Sequence, residues 1–275
     1  FMGNFDWSIF WLAILTTVLL QILSNLANDY GDAVTGVDDE TRQGPVRAIQ
    51  SGNITTAQMK MAIIVFACLS LGAGIVLLNL SFGSLLTPEV LLWLLIGIGA
   101  IVAAINYTVG KNPYGYKSMG DLFVFMFFGI VGVAGSYYLQ SKKVDASIFL
   151  PAAAIGLLCV GVLNINNMRD RLQDKNKGKI TLAVRLGFEN AKIYQYALLS
   201  TAVVLLVVFT LIHHKDVIQW VFLLAIPLIM NIIIKVKKVQ EPIDFDPLLK
   251  KLALSTFVLS IIFSIGLYLA SYVEG

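Results

Sequence analysis

The sequence predicts an all-α fold, a polytopic membrane bundle of about eight transmembrane helices, and three observations carry that reading. Apolar residues make up 57% of the 275-residue chain and charged residues only 13%, where a soluble domain carries about 25% charge. The apolar residues are gathered into blocks of nearly one length, and the basic residues between the blocks are sorted to alternate loops.

The charge-free blocks are 7–28, 61–82, 90–109, 122–141, 146–168, 193–212, 217–234 and 252–273, each of 18 to 23 residues. A helix needs about 20 residues to cross the hydrocarbon core, and it satisfies its own backbone hydrogen bonds where lipid offers none. The first block has no basic segment before it and no small-residue cleavage site, and it runs straight into polar sequence. It is therefore expected to be a mature span and not a leader. Cys68 and Cys159 lie inside apolar blocks with no disulfide or metal-ligand spacing, and read as small buried hydrophobes. His213 and His214, on a turn with Lys215, read as interfacial polar residues. Residues 1–275 are expected to form one integral-membrane domain.

Alternating spans divide the loops into two sets. One set holds 17 of the 20 Lys and Arg residues, and the other holds only Lys142, Lys143 and Lys215. Basic loops mark the cytoplasmic side, so the rich set faces inward and both ends of the chain are expected outside. The inward loops also carry nine of the twelve Asp residues. Chemistry is expected at the cytoplasmic face of the inner (plasma) membrane.

Two of those loops follow the same design. The first block runs into NLANDYGDAVTGVDDETRQGPVRAIQSG at 25–52, and the fifth into NINNMRDRLQDKNKGKITLAVRLG at 164–187. Asn28 and Asp32 are four residues apart, as are Asn166, Asp170 and Asp174. Residues at i and i+4 share one face of a helix, so each helix end presents a ladder of oxygen ligands. Amide and carboxylate oxygens without His or Cys suit a hard cation such as Mg2+, which binds through one or two carboxylates and substrate phosphates. Two ladders can hold two ions bridged by a diphosphate, with Arg42, Arg47 and Lys179 neutralising the remaining phosphate charge. Acidic groups next to lipid are costly and face a cavity or a partner. The 138-residue interval between Asn28 and Asn166 hints at two related four-helix halves.

These residues resemble the UbiA superfamily of intramembrane aromatic prenyltransferases, whose pattern is an N-x-x-x-D motif after one helix and a D-x-x-x-D motif four helices later. Here those are Asn28 to Asp32 and Asp170 to Asp174. The two loop strings, together with NPYGYKSMGDLFVFMFFGIVGVAGSYYLQ at 112–140, are similar to the branch that prenylates 1,4-dihydroxy-2-naphthoate in menaquinone synthesis. Other branches place an Asp four residues after the first motif Asp. Here that position is Gly36 and the next carboxylate is Asp38, which agrees with the naphthoate branch. The family has nine helices, and these 275 residues begin with what corresponds to the second, so the first is expected either to be absent or to precede them.

The resemblance implies a metal site of Asn28, Asp32, Asp38, Asp170 and Asp174, with Asp38 brought back by a turn through Gly31 and Gly36. It implies a donor held by Asn28, Arg42, Arg47, Asn166 and Lys179, with Arg47 and Lys179 also stabilising the leaving diphosphate. Lys111 and Tyr114 are expected to contact diphosphate or acceptor, and Asp121 to orient or deprotonate the acceptor phenol. The implied partners are a polyprenyl diphosphate, an aromatic acid and membrane lipid; no nucleic acid is expected. An aromatic acceptor such as 4-hydroxybenzoate or homogentisate stays open. A transporter is disfavoured, because transporters place their polar site near the bilayer midplane and these midplane stretches carry no charge.

Overall fold

The computed structural model describes residues 5–36 and 47–272. Eight helices in the described residues have the length and apolarity to cross a membrane: α1 (Trp7–Val34), α2 (Thr56–Phe82), α3 (Pro88–Asn106), α4 (Gly120–Ser141), α5 (Ala146–Asn176), α6 (Phe188–Ile212), α7 (Val217–Lys238) and α8 (Pro242–Ser271). Each expected span is present. Two of them run well past their apolar blocks: α1 continues to Val34 and α5 to Asn176, so Asp32, Asp170 and Asp174 sit on helical turns and not in loops. Gly31 accordingly lies within α1, and only Gly36 has the positive φ that a turn requires.

Local sequence explains the helix starts. The Asp6 side chain caps α1 through the amides of Ser8 and Ile9, Thr55 and Gln58 form a capping box at α2, and Thr87 with Pro88 opens α3. Large apolar side chains such as Leu15, Leu95, Ile193 and Phe257 lie on the outer surface, an arrangement suited to lipid contact. Cys68 is among the exposed residues of α2, so the expected burial of both thiols fails for it. A residue on a lipid-facing helix surface need not be packed, and sequence cannot say which face that is.

The two halves are packed unequally. The largest core runs from Ala154 to Phe263, through α5 to α8, and encloses Phe209, Phe222 and Phe245. The first half holds two smaller clusters, Ile9, Leu77, Leu78, Val90 and Leu139 toward one end, and Leu23, Ala27, Met59 and Ile63 toward the other. The halves meet where α4 crosses α5. There a Cβ on Gly129 would lie 2.7 Å from the Ala152 carbonyl oxygen and 2.7 Å from Gly156 Cα, so glycine is what permits this approach. Around that contact, Phe125–Gly135 of α4 winds as a wider π-helix.

Candidate active site

The C-terminal ends of α1 and α5 are joined by two loops that clasp each other. Lys117 and Ile180 form a single parallel bridge. The Ile180 amide donates to the Tyr116 carbonyl at 3.1 Å, and the Ser118 hydroxyl donates to the Ile180 carbonyl at 2.7 Å. This fixes Tyr116 and Lys179 beside the helix ends. On the other side, α1 presses on residue 108: a Cβ on Gly31 would come within 2.5 Å of Thr108 Oγ1. Thr108 in turn donates its hydroxyl to the Ala27 carbonyl at 2.9 Å and to Asn28 Oδ1 at 3.3 Å. The Asn28 amide oxygen therefore already has a donor.

Asp32 is the centre of the first ladder and is 2% exposed. Its Oδ1 accepts from the Tyr116 hydroxyl at 2.8 Å, its Oδ2 lies 3.1 Å from Arg47 Nη1, and Lys179 Nζ approaches at 3.4 Å. Arg47 Nη1 also donates to the Asn28 carbonyl at 2.9 Å. The same Lys179 ammonium reaches Asp174 Oδ1 of the second ladder at 3.8 Å. One buried lysine thus links a carboxylate from each ladder, the juxtaposition that the spacing alone could not establish. Burial draws the Lys179 ammonium down, but the neighbouring Asp32 and Asp174 carboxylates outweigh it and leave its pKa above the ordinary lysine value. Burial and the adjacent Asp32 carboxylate raise the Tyr116 phenol. Tyr107, just past α3, is raised by burial first and then by the charges of Asp121, Asp32 and Asp174. It remains a protonated donor facing three carboxylates from three helices.

The second ladder is arranged differently. Asn166 and Asp170 are both held by Arg169, which is 3% exposed. Its Nε and Nη2 grip the Asp170 carboxylate at 2.8 and 3.0 Å, Nη2 also reaches Asn166 Oδ1 at 2.8 Å, and Nη1 meets Asp246 Oδ1 at 2.6 Å. Neither Arg169 nor Asp246 was singled out from the sequence.

Asp121, in the first turn of α4, is 8% exposed. It is hydrogen bonded to the Tyr194 hydroxyl of α6, and its Oδ1 has no hydrogen-bond partner among the described residues. Tyr194 was missed because it falls in an apolar helix with no local motif. The tyrosine expected at the site, Tyr114, donates its hydroxyl to the Ala103 carbonyl at 2.7 Å and stacks on Phe123 at 4.0 Å between centroids. It is Tyr116, two residues on, that reaches the first ladder. Lys111 is exposed. Asp38 and Arg42 lie outside the described residues. Among the described residues no group of three His, Cys, Asp or Glu side chains is close enough to hold a metal by itself. That suits an ion held jointly with substrate phosphates: Mg2+ needs only one or two carboxylates from the protein, and Asp32 and Asp174 are offered from facing helix ends.

A bundle of membrane helices with buried carboxylates and cations gathered at one face is the architecture of a membrane-embedded transferase. The chain belongs to the UbiA prenyltransferase family, whose profile matches residues 1–244. It is 43% identical over 256 residues to the 1,4-dihydroxy-2-naphthoate octaprenyltransferase of Haemophilus influenzae, covering 93% of this chain and 82% of that protein. It is 42% identical to the 1,4-dihydroxy-2-naphthoate octaprenyltransferase of Escherichia coli K12, covering 98% of this chain and 87% of that one. Its fold is shared with a UbiA homologue from Archaeoglobus fulgidus solved bound to DMAPP and Mg2+, at a TM-score of 0.60 and 19% identity, over 95% of this chain and 90% of that one.

Proposed function

We propose that the protein transfers a polyprenyl group from a polyprenyl diphosphate to 1,4-dihydroxy-2-naphthoate with loss of CO2, giving the reduced form of a demethylmenaquinone. The reaction takes place at the cytoplasmic face of the inner membrane, the face marked by 17 of the 20 basic residues. The observation that carries the reading is the convergence of Asp32 and Asp174, from helices four spans apart, on one buried lysine. The naphthoate acceptor is supported by relatives of that name at 42–43% identity over most of the chain.

Asp32 and Asp174 with Asn28, Asn166 and Asp170 are the oxygen set that would hold Mg2+, one ion to each ladder. Bound Mg2+ supplies Lewis-acid stabilisation of the charge on the leaving diphosphate. Arg47 and Lys179, which here neutralise Asp32 and Asp174, are placed to turn to the diphosphate and share that charge. The allylic C–O bond breaks with its electron pair going to diphosphate. The ring then gives a pair to the prenyl carbon, and departure of CO2 returns a pair to the ring. Asp121, bonded to the Tyr194 hydroxyl and with its Oδ1 unpartnered among the described residues, accepts the hydrogen bond or proton of the acceptor phenol. The outward-facing apolar helix surfaces leave the prenyl tail in lipid-like surroundings.

The test is turnover by purified protein in detergent with Mg2+, labelled octaprenyl diphosphate and a panel of aromatic acids. Prenylation of the naphthoate with one CO2 released per transfer is expected, with 4-hydroxybenzoate a poor acceptor. Efficient prenylation of 4-hydroxybenzoate with its carboxylate retained would overturn the acceptor assignment.

A further inference from the structure

We infer that Asp246, at the head of α8, is a positioning residue that sets the metal affinity of the second ladder through Arg169. The inference rests on the reading of Asn166 and Asp170 as metal ligands. As the structure stands, Arg169 engages both oxygens of Asp170 and the amide oxygen of Asn166, so a fixed positive charge sits on the groups a divalent cation would use. Arg169 is 3% exposed and cannot swing into water without unburying. It also stays charged at any relevant pH.

Asp246 resolves the conflict. It takes the third guanidinium nitrogen, Nη1, at 2.6 Å, and its side chain is 43% exposed, so it keeps contact with water. Arg169 is therefore shared between two carboxylates. The trio of Asp170, Arg169 and Asp246 carries one net negative charge, whereas Asp170 and Arg169 alone would be neutral. An arriving cation meets an anionic ladder, and when Asp170 turns toward it, Arg169 keeps a counter-ion. Asp246 lies two residues beyond the stretch that the family profile matches, which ends at 244, and 77 residues from Arg169, so no motif spacing points to it.

The experiment measures Mn2+ binding to the full-length protein in detergent by electron paramagnetic resonance, in the presence of inorganic diphosphate and without prenyl donor. Asp246→Asn is expected to raise the apparent Kd for Mn2+ by about tenfold, the scale of losing a group that orients a metal ligand. Asp246→Glu should restore it. Asp244→Asn, an exposed neighbour, should leave it at the wild-type value. The double variant Arg169→Gln/Asp246→Asn removes the competing charge and should bind Mn2+ more tightly than Asp246→Asn; it carries the test if the single variant does not fold. A lowered melting temperature in Asp246→Asn with unchanged Mn2+ affinity would show a structural tie only and overturn the inference, as would a double variant that binds no better than the single. A wild-type protein that binds no Mn2+ alongside diphosphate would instead overturn the reading of the ladders as a metal site.

Discussion

At the end of α1, Asp32 is held by groups from three other segments: a hydrogen bond from Tyr116 in the loop before α4, and the charges of Arg47 from the loop before α2 and Lys179 from the loop after α5. At the end of α5, Asp170 is neutralised by its own sequence neighbour, Arg169. The same four-residue spacing thus yields two different sites. The first exists only when the loops are clasped together. The second is largely built by one helix and tied to the rest of the molecule through Asp246. The first ladder should be sensitive to anything that moves the loops, and the second to the charge balance around one arginine.

The largest expected effect does not distinguish them. Chelation by EDTA should abolish turnover and Mg2+ or Mn2+ should restore it; full activity in chelator would remove metal from both ladders. Carboxylate-to-amide changes come next and do separate the two. Asp32→Asn, Asp174→Asn and Asp170→Asn should each slow turnover by about 100-fold or more, since each loses a charged ligand in the reacting complex. Their stabilities should differ. Asp32→Asn leaves Arg47 and Lys179 facing each other with one carboxylate fewer, and breaking a buried pair costs about 3 kcal/mol or more. Asp170→Asn leaves Arg169 with Asp246 and should cost less. Equal melting temperatures for the two variants would erase the distinction drawn here.

A smaller effect tests the clasp. Gly31→Ala places a methyl 2.5 Å from Thr108 Oγ1, and overpacking of this kind costs about 1–3 kcal/mol. The end of α1 must shift, so KM for the prenyl diphosphate should rise while the second ladder stays intact. Asp121→Asn should raise KM for the naphthoate and slow turnover, leaving donor binding nearly unchanged, as titration of a donor analogue would report. Loss of donor binding would move Asp121 to the metal site. The smallest difference is between two tyrosines. Tyr116→Phe loses a hydrogen bond to a charged group, worth about 1.5–3 kcal/mol, and should weaken donor binding. Tyr114→Phe loses only its bond to the Ala103 carbonyl and should lower stability by about 1 kcal/mol without changing that KM.

Much of the molecule was legible beforehand for physical reasons that are local. The length of each apolar block is set by the thickness of a bilayer, so eight spans could be counted from sequence and eight helices of that length and apolarity are found among the described residues. The sorting of Lys and Arg follows from the cost of moving charge across lipid. A four-residue spacing of Asn and Asp puts both on one helix face wherever the helix goes, which is why Asp32, Asp170 and Asp174 could be named. Arg47 and Lys179 were named as cations near these motifs, and they are found against Asp32 and Asp174. One arrangement was not legible in this way. Tyr114 and Tyr116 are two residues apart in one loop, and only the fold of residues 114–116, a single 3-10 turn, decides which phenol faces the ladder.

The sequence by itself determined how many helices cross the membrane, which loops share a face, and where the oxygen ligands stand along each helix, because all three depend on residues near one another in the chain. Only the tertiary structure decided which charges meet: Lys179 between Asp32 and Asp174, Tyr194 on Asp121, and Arg169 shared with Asp246. A side chain's partner depends on the approach of another helix, and that approach is fixed by packing, such as the missing Cβ at Gly31 and the Gly129–Gly156 crossing. No pattern within a single segment encodes it.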